Sequence, residues 1–284
     1  MFISWIIYLL SFKMVNGAFN LRNGNSFNGI SKENKIVGIV SAKGGVGKTT
    51  TAINLGAACL DTFKKSVLIM DINLDTGNLA LNLGLSPHPT GIKEITKSSI
   101  SILGSVHKHK SGLHIIPSPY EVEDKKLNPK TFKKKLKELK NYDLIILDSA
   151  PGVKGDAETA IKASDVLLLV LTPDFPSVGT AIKTIQVAKK FNIPIAGIVL
   201  NKIRNKSYEL TKEYIETALN LPILTSVMED KYITEAVSKR MPVVMHKRRA
   251  RSTASYKRLS AHILGKKIKR KPLGMRIKEV FSGK

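Results

Sequence analysis

Ser41-Ala42-Lys43-Gly44-Gly45-Val46-Gly47-Lys48-Thr49-Thr50 follows an apolar run, Lys35 to Val40, and leads into a helical pattern from Thr51 to Leu60. Strand, glycine-rich turn and helix start come in the order that builds a phosphate cradle. Gly44, Gly45 and Gly47 leave backbone N–H groups able to point into the turn, where the helix N-terminus adds its positive dipole end. In such a cradle Lys48 reaches the outer phosphates of a polyphosphate and the Thr49 hydroxyl ligates Mg²⁺. The fit to G-x-x-x-x-G-K-[ST] is imperfect, because Ala42 occupies the first glycine position. A glycine turn that merely caps a helix is the alternative, and the residues downstream weigh against it.

The departure carries information. K-G-G-x-G-K-T-T, with an extra lysine at its start, resembles the deviant Walker A motif of the MinD/ParA ATPases. The resemblance implies ATP and Mg²⁺ as ligands, with Gly44, Gly45, Val46, Gly47, Lys48, Thr49 and Thr50 as the nucleotide-binding stretch. It also implies a homodimer formed on ATP binding, in which Lys43 reaches across the interface to the partner's nucleotide.

Further along, Val67-Leu68-Ile69-Met70 reads as a buried strand ending at Asp71, an acid well placed beside the Mg²⁺ and γ-phosphate. The segment resembles the family's switch I, D-x-D followed by N-L-x-L, and matches at Asp71 and at Asn78-Leu79. The second acid, which in the family positions the attacking water, is Asn73 here. An amide can hydrogen-bond a water but cannot take its proton, so hydrolysis is expected to be slow or absent. Because phosphoryl transfer relies mostly on positioning and electrostatics, weak turnover stays open. Asp75 is two residues further on and is not expected to substitute.

Leu144-Ile145-Ile146-Leu147-Asp148-Ser149-Ala150-Pro151-Gly152 has the form of a Walker B strand, apolar on both faces, with Asp148 emerging to hold the Mg²⁺ shell. Leu113 to Ile116, Val166 to Leu171, Ile195 to Leu200 and Pro222 to Val227 read as further strands, and Lys125 to Lys140 as a solvated amphipathic helix. By resemblance Asn201 contacts the adenine base; from the residue alone, an Asn closing a strand into a loop is an equal reading. Met228-Glu229-Asp230 lacks the proline usual in the family. Alternating strands and helices predict an α/β fold, a single doubly wound, mainly parallel sheet flanked by helices, and the resemblance implies that it is of the P-loop NTPase SIMIBI type. The expected divisions are an apolar extension and polar linker over 1–34, an ATPase domain over 35–265 and a basic tail over 266–284.

Composition narrows the classes. The chain has 284 residues, 43% of them apolar, and one cysteine, Cys59, so no intrachain disulfide forms and the thiol reads as a core residue of a reduced, cytoplasmic protein. Relatives that hold iron–sulfur clusters on paired cysteines are excluded. The formal net charge is +24, and the last 44 residues hold fourteen Lys/Arg against one acid, Glu279, which suits a polyanionic partner. Met1 to Phe12 is apolar but shorter than the roughly 20 residues of a membrane span. It also lacks a signal peptide's basic start, so a short anchor and an upstream start-site artefact, with translation beginning at Met14, are the two readings.

In the tail, Leu273, Ile277, Val280 and Phe281 share one face of a short helix behind Lys266-Lys267-Ile268-Lys269-Arg270-Lys271. That pattern suits the interface of an anionic membrane, with two copies in a dimer turning weak contact into attachment. Such tails occur in the MinD branch, which the resemblance favours; the protein is then expected to be cytoplasmic, peripherally membrane-associated with ATP bound, and to answer to a protein activator. The alternatives are a ParA-like partitioning ATPase binding DNA nonspecifically through Lys247, Arg248, Arg249 and Arg251, and a hydrolysis-deficient ATP-binding regulator.

Overall fold

A computed structural model describes residues 27, 29–31, 35–74, 77–85, 92, 101–118 and 127–268. The expected tail helix at Leu273 to Phe281, the apolar run Met1 to Phe12 and Asp75 lie outside the described residues. Four runs form the middle of the sheet: β1 (Ile36–Val40), β2 (Val67–Ile72), β5 (Leu144–Ser149) and β6 (Val166–Leu171), every residue of them buried. Unbroken apolar runs of this kind need cover on both faces, which is the condition of a parallel sheet. With β3 (His107–Lys108), β4 (His114–Ile116), β7 (Ile195–Ile203) and β8 (Ile223–Met228) they make one eight-stranded sheet in the order β3-β4-β2-β5-β1-β6-β7-β8. All pairings are parallel except β3 with β4.

The alternation of side chains along the strands divides the core into two layers. Val37, Ile39, Ile69, Ile146 and Leu168 face α1 (Lys48–Phe63) and the C-terminal helices α7 (Lys231–Ser238), α8 (Val243–His246) and α9 (Arg251–Ile263). Leu68, Met70, Ile145, Leu147, Leu167 and Leu169 face α3 (Pro129–Leu136), α4 (Asp156–Ala163), α5 (Phe175–Lys190) and α6 (Lys212–Leu219). α2 (Leu79–Leu83) is a short turn after β2. Helix α1 lies unusually close to the sheet: a Cβ on Gly56 would come within 2.9 Å of Ile69 Cδ1. It is roofed by α9, whose Tyr256, Leu259 and Ile263 are fully buried, as their spacing predicts.

Several expectations need adjustment. Helix α1 starts three residues earlier than its apolar pattern, at Lys48, because the turn itself supplies the first helical residues. Strand β7 does not stop at Leu200 but continues to Ile203, so Asn201 and Lys202 belong to the strand. The amphipathic segment at 125–140 is not simply solvated: Leu127, Phe132, Leu136 and Leu139 are buried in the second layer, with Asn128 capping α3. A β3–β4 hairpin, turned at Ser111-Gly112, was not signalled by its two-residue strand. Phe27 and Ile30, inside the expected polar linker, pack on the core, and the Ile30 N–H donates to Ile263 O at 2.7 Å. Ordered packing thus begins before residue 35. No described helix is long and apolar enough to cross a membrane.

Candidate functional site

β1 occupies the middle of the sheet, between β5 and β6, and its C-terminal end delivers the chain into the glycine turn at the crevice where strand order reverses. Two successive residues of β7 hold that turn from the side. Asn201 Nδ2 donates to Val46 O at 2.8 Å, and Lys202 Nζ donates to Gly45 O at 2.8 Å. A trans peptide points its C=O and N–H in opposite directions. Drawing the Gly45 and Val46 carbonyls toward β7 therefore turns the Val46 and Gly47 N–H groups the other way, away from β7. Gly47 has φ 96° and is the N-cap of α1, and a Cβ there would lie 2.2 Å from Asn201 Nδ2. Only glycine meets both conditions. Lys202, itself at φ 56°, and the loop contact of Asn201 were not foreseen; nothing within a few residues of either signals a partner more than 150 positions away.

Beside the turn sit the charged groups. Lys48 opens α1 and is 8% exposed; burial lowers its pKa, an effect partly countered by Asp148. Asp71 and Asp148 are direct partners in the β2–β5 register, both buried, so the strand pairing sets two carboxyls side by side at the crevice. Burial raises the Asp148 pKa, the charge of Asp71 raises it further, and a Thr49 hydrogen bond and Lys48 oppose the shift. For Asp71 burial again dominates, against hydrogen bonds from the backbone N–H groups of Leu79, Asn73 and Asn78. The Asn73 N–H donates to Asp71 Oδ1 at 3.1 Å and the Leu79 N–H to Oδ2 at 3.0 Å, so Asp71 ties down the segment carrying Asn73. Asp156, at the start of α4, holds the same segment through the Leu74 N–H at 3.2 Å.

The donor set fits a hard divalent cation. Asp148 Oδ1 is buried without a hydrogen-bond partner, next to a hydroxyl and a second carboxyl. Among the described residues no cluster of three or more His, Cys, Asp or Glu could cage a metal alone. One or two protein oxygens completed by phosphate and water is the habit of Mg²⁺.

Lys43 behaves differently from Lys48. Its Nζ lies 2.9 and 3.1 Å from the two Asp174 oxygens of its own chain. Asp174 also N-caps α5 through the Ser177 N–H at 2.8 Å. Burial pushes the Asp174 carboxyl up, but hydrogen bonds from Thr172, Lys43 and Ser177 outweigh it and hold the group below the usual carboxylate range. Asp174 followed by Phe175-Pro176 is a readable capping signal; the Lys43 pairing is not. Of the basic cluster at the other end of the chain, Lys247 pairs with Glu235 at 3.4 Å and Arg248 with Asp61 at 3.1 Å. At the loop that lacks proline, Glu229 forms a two-point pair with Arg204 at 2.7 and 2.9 Å.

The chain is similar to known proteins across most of its length. It is 28% identical to an uncharacterised ATP-binding protein of Methanocaldococcus jannaschii, over 81% of this chain and 88% of that one. It is 31% identical to a virulence plasmid ParA family protein of Chlamydia psittaci, over 74% of this chain and 86% of that one. Its fold superposes with a TM-score of 0.74 on the septum site-determining protein MinD of Pyrococcus horikoshii, a structure with Mg-ADP, at 26% identity, covering 81% of this chain and 96% of that one. Residues 37–243 match the CobQ/CobB/MinD/ParA nucleotide binding domain, and the chain therefore belongs to that family.

Proposed function

We propose that this protein is a MinD-like ATPase that binds Mg²⁺·ATP, pairs with a second copy around two nucleotides, hydrolyses slowly and acts as a positioning switch on an anionic membrane surface. The observation that supports the reading is that Lys48 and Thr49, at the start of α1 behind the glycine turn, lie beside the paired carboxyls of Asp71 and Asp148. Lys48 and the Val46 and Gly47 N–H groups bind and neutralise phosphate oxygens. Thr49 and Asp148 would hold Mg²⁺, which when bound supplies further neutralisation of phosphate charge. Asp71 fixes the segment that carries Asn73, and Asn73 orients water without accepting its proton. Lys43 leaves Asp174 to complete the partner's site.

A ParA-like reading, with DNA as the surface, is favoured by the Chlamydia psittaci relative and by the cluster Lys247, Arg248, Arg249 and Arg251. Asp61 and Glu235 already engage two of those four, which weakens the case for DNA. The test runs both surfaces in parallel. Full-length protein is sedimented with phosphatidylglycerol vesicles and shifted against random duplex DNA, each with ATP and with ADP. ATP-dependent sedimentation lost on deleting residues 273–284 supports the membrane switch. Undiminished sedimentation after deletion, or an ATP-dependent DNA shift alone, refutes it.

A further inference from the structure

At the end of the sheet away from the glycine turn, a cavity of about 500 Å³ opens beneath the starts of three strands. Lys35 precedes β1, Lys65 approaches β2 and Asp143 precedes β5; Lys140 and Lys266 complete the charged lining. β1 alone separates this cavity from the turn, a span of about 17 Å for five residues of strand.

Its charge is not balanced from within. Four ammonium groups meet one carboxylate, and that carboxylate is already occupied: Asp143 Oδ1 accepts from Lys65 Nζ at 2.7 Å, and Oδ2 accepts from the Ser66 N–H at 2.9 Å and the Ser66 hydroxyl at 3.0 Å. Lys35 Nζ donates to three carbonyls, Leu139 at 2.7 Å, Lys140 at 3.0 Å and Tyr142 at 3.1 Å. Those bonds fix the loop that carries Lys140; Asp143 and Asp165 act on the Lys35 charge without forming an ion pair with its ammonium among the described residues, and Asp165 accepts instead from the Ile36 N–H at 3.0 Å. Lys140 and Lys266 have no ion-pair partner among the described residues; Lys266 rests over the Phe63 ring at 5.4 Å. Ile30 and Leu264 supply an apolar wall. The volume lies in the range of small-molecule sites and is large enough for a phosphate group with its ester. Exposed Lys266, Lys267 and Ile268 leave from the rim, followed in sequence by Lys269-Arg270-Lys271.

We propose that this cavity is a second anion site, which takes a phosphate-bearing group, either a phospholipid headgroup or free phosphate. Lysine ammoniums bind such a group as clustered point charges, and the apolar wall accommodates the carbon side of an ester.

Residue-resolved acetylation of the full-length protein tests this independently of the nucleotide site, since protection of Lys48 by ATP is read in the same spectra. The probes are inorganic phosphate, vesicles of phosphatidylglycerol in phosphatidylcholine, vesicles of phosphatidylcholine alone, and random duplex DNA. Slowed modification of Lys65, Lys140 and Lys266 by phosphate or by phosphatidylglycerol vesicles, with Lys183 on α5 and Lys212 on α6 unchanged, supports the site. Protection by phosphate identifies the free anion as sufficient, and protection by the vesicles alone identifies the headgroup. In Lys140→Gln/Lys266→Gln, with its unfolding midpoint unchanged, the concentration needed to protect Lys65 rises about tenfold. Modification unchanged by either probe, protection by DNA alone, or vesicle protection confined to Lys269 and Lys271 overturns the proposal; the last of these leaves the tail reading intact.

Discussion

Replacing Gly47 with alanine tests how β7 holds the glycine turn, and the expected size of the effect follows from two contacts. At φ 96° an alanine is strained, by about 1–2 kcal/mol. Its Cβ, 2.2 Å from Asn201 Nδ2, also displaces the amide from Val46 O, and an unsatisfied buried carbonyl costs about 1–3 kcal/mol. Gly47→Ala is therefore destabilising by roughly 2–5 kcal/mol. Asn201→Ala alone removes the same hydrogen bond and costs about 1–3 kcal/mol. In the double variant the bond cannot be lost twice, so Asn201→Ala costs little once Gly47 is changed. The coupling energy equals the shared bond, about 1–3 kcal/mol. Urea unfolding of the four proteins measures the cycle, and a fluorescent ATP analogue reports the loop itself. Free energies that add within about 0.5 kcal/mol would refute the coupling, because they would mean that the two residues act separately.

Three further outcomes follow from other parts of the molecule. Asn73→Asp, which restores an acid on the segment that Asp71 ties down, should raise steady-state ATP hydrolysis; equal rates in the two proteins would remove the role assigned to Asn73. Asp230 N-caps α7 through the Tyr232 N–H and accepts from the Ser252 N–H and hydroxyl; burial raises its pKa, but these bonds prevail and leave it lowered. Its contribution is thus present above the unfolded value of about 3.9 and is lost as pH falls through the lower folded value. Asp230→Asn should be less stable than wild type at neutral pH and lose less stability on acidification, as thermal unfolding between pH 2 and 7 would record. Phe132→Ala, at a side chain 1% exposed between α3 and the sheet, should cost about 3–5 kcal/mol in urea unfolding, and a cost under about 1 kcal/mol would show that α3 is not part of the core.

The parts of the site legible in the sequence are those whose chemistry is local. Gly47, Lys48 and Thr49 must follow one another because one turn places them all, and Asp71 and Asp148 each end an apolar run because a strand carries them to the crevice. What sequence left obscure is held together across the chain. Lys202 on Gly45, Lys43 on Asp174 and Asp143 on Ser66 join residues with no shared periodicity, and only the strand order brings them together. Phe27 and Ile30 were hidden for a related reason: two apolar residues among asparagines and glycines make no pattern until α9 offers them a surface.

The contact between Lys43 and Asp174 bears on how strongly salt would influence dimer formation. Asp174 is committed to capping α5 and stays where it is, so any move must be made by the lysine. If two copies pair as proposed, Lys43 would exchange one anionic partner for another instead of creating an ion pair from two hydrated charges. The single chain's pair, about one-third exposed, is worth under about 1 kcal/mol, so little opposes the exchange. With a similar contact on both sides of the equilibrium, ionic strength largely cancels, and Lys43 should contribute almost nothing to the salt slope of dimerisation. Asp174→Asn would remove that cancellation and make dimer formation more sensitive to salt than in the wild type.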